Sequence, residues 1–204
     1  MSGKSIADSF YNHDPYTNEN PEVAVMKFAK YRRETLNQII NLFWTAVCFA
    51  PLLSYWLNEE IDFYFYIFTL VSLITAFLPN RVFDLLAFSS NRKFYERLGA
   101  KTIRKLVQNG DIVKTMSAEN RRPIIRDISH ARKYLKNIAM YERFHWACLV
   151  FFLLTSITAF FRGYLLTGLL ITAANLLYNF SSILLQQYNK LRIKKLITES
   201  SLVN

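Results

Sequence analysis

The chain has 204 residues, 52% of them hydrophobic and 16% aromatic, with a formal net charge of +10 and only 5 glycines. Its apolar residues fall in blocks too long for a soluble fold. There is no disulfide framework, no metal-ligand spacing and no nucleic-acid recognition module, which excludes a secreted stapled domain, a zinc protein and a nucleic-acid binder.

Residues 1–21 are rich in Asn, Asp, Ser, Tyr and Pro, and Asp14-Pro15 and Asn20-Pro21 are turn signals, so a surface arm with a solvated His13 is expected. The first 30 residues lack a basic start followed by an apolar stretch, so insertion is expected to use the first long apolar run itself. Residues 22–34 sort Val23 and Met26 away from Lys27, Lys30 and Arg33, the pattern of a short amphipathic helix lying at an interface.

Four runs of mostly uncharged residues follow, at 36–57, 61–79, 144–161 and 164–185, each about the length a helix needs to cross a bilayer. Cys48 and Cys148 lie within them, where a free thiol behaves as a small hydrophobe. Asn37, Gln38 and Asn41 open the first run, and Pro51 within it is tolerable in a membrane helix whose neighbours satisfy the freed carbonyl. Asn58 to Asp62 turns the chain back, and Pro79-Asn80 stops the second run. The resulting division is a polar arm and interfacial helix at 1–35, a transmembrane hairpin at 36–79, a basic helical segment at 80–143, a second hairpin at 144–186 and a basic tail at 187–204. The expected fold class is all-α, a polytopic membrane protein with four transmembrane helices in two hairpins and a cytoplasmic layer of amphipathic helices.

The middle segment carries fifteen Lys and Arg against six acids between Arg81 and Arg143. Ser89 or Ser90 is placed to cap a helix through Leu98, Gly99 to break it, and Asn109-Gly110 to end a second piece. A third helix is expected from Ser117, with Pro123 near its start and Ile124, Ile128, Ala131, Leu135 and Ile138 as its apolar stripe. His130 on this helix has no carboxylate at helical spacing and reads as structural. Lys190, Arg192, Lys194 and Lys195 follow the last run, whereas the short loop at 58–62 is acidic. By the positive-inside rule both termini and the middle segment face the cytoplasm, so the expected location is the cytoplasmic (inner) membrane, crossed several times. The basic surface would attract anionic lipid heads or a phosphate-bearing substrate.

The candidate chemistry is sparse. There is no glycine-rich phosphate loop, no nucleophile elbow and no histidine with an aspartate five positions on. Glu142 and His145, three residues apart where the basic segment meets the third run, are the one acid and imidazole pair at helical spacing near the bilayer, with Trp146 as an interfacial anchor. A neutral imidazole can take the proton of a hydroxyl attacking a thioester, while a carboxylate holds the ring. The same two groups would serve equally as a snorkelling Glu and His pairing with Arg143 or Lys136. In the last run Asn175, Asn179, Ser182 and Gln186 recur at four, three and four, an uncharged polar stripe that must find partners inside a bilayer. It suits interhelical hydrogen bonding, and also the binding of sugar hydroxyls or a developing oxyanion.

Three blocks carry a resemblance. Phe94-Tyr95-x-x-Leu98-Gly99-x-Lys101 followed by Lys105, then Glu142-x-x-His145-Trp146, then Asn179 seven residues before Gln186-x-Tyr188-Asn189-x-x-Arg192, resemble the glycosyl-4,4'-diaponeurosporenoate acyltransferases, small bacterial membrane proteins. The chain departs from their pattern at Ser181, Gln187 and Lys190-Leu191. The resemblance implies transfer of a fatty acyl group from an acyl thioester such as acyl-CoA, as co-substrate rather than cofactor, to a sugar hydroxyl of a membrane glycolipid. By it His145 is the general base and Glu142 its orienting carboxylate. Asn175, Asn179, Gln186, Tyr188 and Asn189 would face the substrates, and Lys101, Lys105 and Arg192 would draw in the donor's phosphates. The partners would be membrane lipids and the acyl donor. The rival expectation is a non-catalytic subunit that uses the same stripe and basic layer to hold protein partners in a larger membrane assembly.

Overall fold

Long apolar runs that cannot leave backbone N–H and C=O groups unpaired in lipid must form helices or a closed barrel, and here they form helices. A computed structural model describes residues 21–59, 61–106 and 128–201, and every regular element among them is helical. The elements are α1 (Pro21–Asn58), α2 (Phe63–Phe77), α3 (Asn80–Leu85), α4 (Arg92–Arg97), α5 (Ala100–Leu106), α6 (Ile128–Phe161), α7 (Leu165–Asn175), a π-helical turn (Leu176–Phe180) and α8 (Ser181–Ser201). His13, Asn109-Gly110, Ser117 and Pro123 lie outside the described residues.

Three helical stretches are long and apolar enough to cross a membrane, within α1, within α6 and through the continuous α7–π–α8 rod. This corrects the expected four. The second run forms only the 15-residue α2, about 22 Å at 1.5 Å per residue against a hydrocarbon core of about 30 Å. Asp62 fixes its start by capping it, accepting from the backbone N–H of Tyr64 at 3.0 Å and Phe65 at 3.3 Å. The expected break between an interfacial helix and the first run is also absent, since α1 is one helix of 38 residues. Likewise α6, 34 residues long, runs unbroken through the expected boundary at Phe144.

α6 is the axis of the bundle. It packs against α2 on one side and against α7, the π turn and α8 on the other, and α1 closes over α7. The core between them is largely aromatic. Trp56 meets Phe65 and Phe68 edge-on, Phe49 meets Phe152, and the Trp56 indole donates to Thr155 Oγ1 at 3.3 Å. The α6–α7 turn requires Gly163, at φ +83°, a conformation that side chains resist. Gly99, at φ +86°, makes the expected break between α4 and α5. α4 begins one residue later than a serine cap would place it, because Asn91 is the cap and accepts from Lys93 N–H. α4 and α5 lie on α8 through a core of Tyr95, Ala100, Leu184, Leu185 and Tyr188. Beyond them, Ala131 and Ile138 of α6 pack on Ile193 of α8, so part of the expected stripe faces the bundle.

Candidate functional site

Where α6 passes the π turn, two polar networks meet. Both are centred on side chains between α6 and the last rod, of which Glu142, Asn175, Asn179 and Gln187 are buried.

The first begins at His145. Its Nδ1 lies 3.3 Å from Asn179 Oδ1, Asn179 Nδ2 donates to Asn175 Oδ1 at 2.9 Å, and Asn175 Nδ2 donates to the Leu149 carbonyl at 3.1 Å. Asn175 and Asn179 are buried, as the four-residue spacing of a polar stripe required. The imidazole sits edge-on to Phe144 and to Tyr178, ring centres 5.2 and 5.4 Å away. The Tyr178 hydroxyl is 3.1 Å from Thr45 Oγ1, which brings α1 to the edge of the site. Asn179 lies within the π turn, closed by the Ser181 N–H to Leu176 carbonyl bond. Such single π turns interrupt a helix at a cost and recur at functional sites.

The second network surrounds Glu142, only 1% exposed. A carboxylate taken out of water that far needs paired donors. It has two from α8, Gln187 Nε2 at 3.0 Å and Lys190 Nζ at 3.2 Å. Lys190 also reaches Asp84 of α3 at 2.7 Å, and this ion pair holds the Asp84 carboxyl below the usual carboxylate range. Gln187 continues the network through Oε1, which faces the Phe88 N–H at 3.2 Å and the Tyr95 hydroxyl at 3.0 Å. Tyr95 is clasped in turn by the backbone of Ser89, so residues 86–91 are strapped down over this end of the site. Phe88 then rests against Trp146 and Phe180, ring centres 6.1 and 5.4 Å away. The buried Trp146 Nε1 has no hydrogen-bond partner among the described residues.

Glu142 and His145 are therefore both at the site but have different partners. Helical side chains lean toward the N-terminus of their own helix. Glu142 therefore leans away from the apolar stretch, where Gln187 and Lys190, leaning the opposite way from antiparallel α8, meet it. The ring of His145 is held by Asn179, and that amide is bonded at both ends, to His145 and to Asn175.

The remaining expected residues lie further along α8 and on the short helices. Gln186 and Asn189 are half-buried. The buried ring of Tyr188 lies under the guanidinium groups of Arg92 and Arg192, 5.5 and 5.6 Å from its centre. Its hydroxyl faces Glu96 at 3.3 Å. Lys101 pairs with Glu96 at 2.9 Å, and Lys105 is exposed. Tyr95, Asp84, Gln187, Lys190 and Thr45 are site residues that the sequence reading did not select. Tyr95 lies in the first of the three resembling blocks, and Gln187 and Lys190 are departures from the pattern of the resembling family.

The model of the family described as Glycosyl-4,4'-diaponeurosporenoate acyltransferase matches residues 79–199, more than half of the chain. That stretch contains both networks in full apart from Thr45. No curated protein and no solved structure matches the chain.

Proposed function

Because the chain belongs to the glycosyl-4,4'-diaponeurosporenoate acyltransferase family, we propose that it moves a fatty acyl group from an acyl thioester to a sugar hydroxyl of a membrane glycolipid. The observation that carries this reading is one imidazole, His145, held by a buried amide beside a run of eighteen residues, 144–161, that contains no Asp, Glu, Lys or Arg. A base at that depth meets a lipid-borne hydroxyl while most of the lipid stays in the apolar layer.

In the proposed reaction His145 takes the proton of the sugar hydroxyl as the oxygen attacks the thioester carbonyl. The tetrahedral intermediate then expels the thiolate, which recovers that proton from the imidazolium, leaving an ester and a free thiol. Glu142 acts at one remove, fixing α6 to α8 through Gln187 and Lys190. Gln186 and Asn189 are the half-buried amides next along the helix for the acceptor. Arg192, Lys105 and Lys101 form the basic rim that would draw in the donor's phosphates. The excess of basic residues over 81–143 and 190–195 supports placing this face, and both termini, on the cytoplasmic side of the inner membrane.

The test is His145→Ala in the purified chain reconstituted with an acyl thioester and a glycolipid acceptor. Ester formation should fall by about 10²–10⁴-fold, the usual worth of a general base, with membrane insertion unchanged. An undiminished rate removes the mechanism.

One observation favours a second reading. The amides of Asn175, Asn179 and Gln187 are satisfied internally, as in a polar seam whose task is to hold helices together. A non-catalytic scaffold subunit would show an unchanged lipid profile on deletion and a stoichiometric partner in mild detergent.

A further inference from the structure

The hydrogen bonds running from Leu149 to His145 have a direction, and one end of them fixes it. A peptide carbonyl only accepts, so Asn175 must turn its NH₂ toward Leu149 O, 3.1 Å away. Its Oδ1 is then left for Asn179, which must answer with Nδ2 at 2.9 Å. The remaining end of Asn179 is Oδ1, and it faces His145 Nδ1 at 3.3 Å. A lone pair on that nitrogen would set two acceptors against each other next to a fully buried amide. Turning Asn179 around would only move the conflict to Asn175, and turning both would move it to the Leu149 carbonyl.

We infer that the Asn175–Asn179 pair is a tautomer lock, which places the proton of neutral His145 on Nδ1 and leaves Nε2 as its lone-pair nitrogen. The two asparagines are thus positioning residues. The ring nitrogen that can receive a substrate proton is Nε2, on the side away from Asn179. Which nitrogen of a histidine is protonated follows from the bond made by the other, and here that bond is set four residues further along, by a backbone carbonyl of the helix that bears the histidine. The catalytic consequence rests on the reading of His145 as base, whereas the tautomer itself does not.

The experiment is two-bond ¹H–¹⁵N correlation on the full chain labelled with ¹⁵N-histidine in phospholipid nanodiscs, with His145 identified by the signals lost in His145→Gln. The wild type should show a protonated Nδ1 and a bare Nε2. Asn175→Leu removes the anchor of the lock, lets Asn179 turn and should give a mixed or Nε2-protonated ring, with acyl transfer at least about tenfold slower and unchanged helix content. Asn175→Asp, kept neutral by burial, can still donate to Leu149 and accept from Asn179, so it should retain the Nδ1-protonated ring. A wild-type ring protonated on Nε2, or the same pattern in the Leu and Asp variants, overturns the lock. Acyl transfer that survives His145→Ala overturns the base and leaves the spectroscopic result standing.

Discussion

Gln187 is engaged at both ends of its buried amide. Its oxygen accepts from Phe88 N–H and Tyr95, and its NH₂ reaches Glu142 and, at 3.4 Å, the Leu86 carbonyl. Gln187→Leu keeps most of the volume but strands the Phe88 N–H and leaves the buried Glu142 with Lys190 alone. Losing one partner of the buried Glu142 and the partner of the part-buried Phe88 N–H should lower stability by about 2 kcal/mol, read as a fall in the thermal unfolding midpoint in detergent; a midpoint at the wild-type value would contradict this. A helix counted at 3.6 residues per turn puts Gln186, not Gln187, in line with Asn179. The π turn at Leu176–Phe180 adds a residue that the count omits, and the face turned to α6 moves on by one. Nothing in Leu-Leu-Tyr-Asn-Phe announces such a turn, so this part of the site was illegible. Glu142 and His145 were legible because their spacing lies within regular helix, and Asn175 and Asn179 because a spacing of four still lets their amides bond across the start of the π turn. The partners of Glu142 were not, since Gln187 and Lys190 are brought to it by tertiary packing.

The helical hairpins owe their registration to polar clasps at both ends of α2. At one end Arg162, after α6, bonds Asp62, lies 3.9 Å from Glu59 and covers the Tyr64 ring at 5.8 Å. At the other, Arg143 of α6 donates to Asn80 Oδ1 at 2.6 Å. Between these clasps α2 packs on α6, and its 15 helical residues end at the extended Leu78 and Pro79. This is why the second apolar run, although long enough on paper, yields a short helix: Asp62 and Pro79 fix its ends more tightly than hydropathy does. Asp62→Ala removes both the cap and the partner of Arg162. It should lower stability by about 1–2 kcal/mol and make the chain just before α2 more open to protease, while Asp62→Asn, still able to cap, should recover part of the loss. Equal behaviour of the two variants would mean that the cap contributes nothing. The helical class and the positions of the apolar runs could be read from composition and length. The continuity of α1 and α6 could not, because a helix that leaves the apolar layer changes its surroundings without changing its hydrogen bonding.

At the scale of the whole molecule the chain has two parts held together by different forces. The long helices are joined by an aromatic core, whereas α3, α4 and α5 add ion pairs of exposed carboxylates to the apolar contact that α4 and α5 make with α8. Asp84 on α3 is held by Lys190 of α8, and Glu96 on α4 by Lys101 at the start of α5 and by Arg92. Both carboxyls lie below their ordinary values, Asp84 first because of its bond to Lys190 and Glu96 first because of its bond to Lys101. Carboxyls depressed by folding contribute stability that is complete above their unfolded values, about 3.9 and 4.3, and is lost as pH falls through the lower folded values. Acidification from pH 7 to about pH 3 should therefore loosen the short-helix layer while the long helices keep their helicity. Limited pepsin digestion of the reconstituted chain should then cut between residues 80 and 106 before any site within α6. Asp84→Asn, which cannot ionise, should be cut in this region even at neutral pH, when probed with a neutral protease, and should show a weaker dependence on acid. A layer equally resistant at pH 7 and pH 3, in wild type and variant alike, would show that these ion pairs do not hold it. The distinction bears on the proposed function, because this same layer carries the strap at 86–91 together with Lys101 and Lys105 of the proposed basic rim, so its loosening should reach the site before the bundle unfolds.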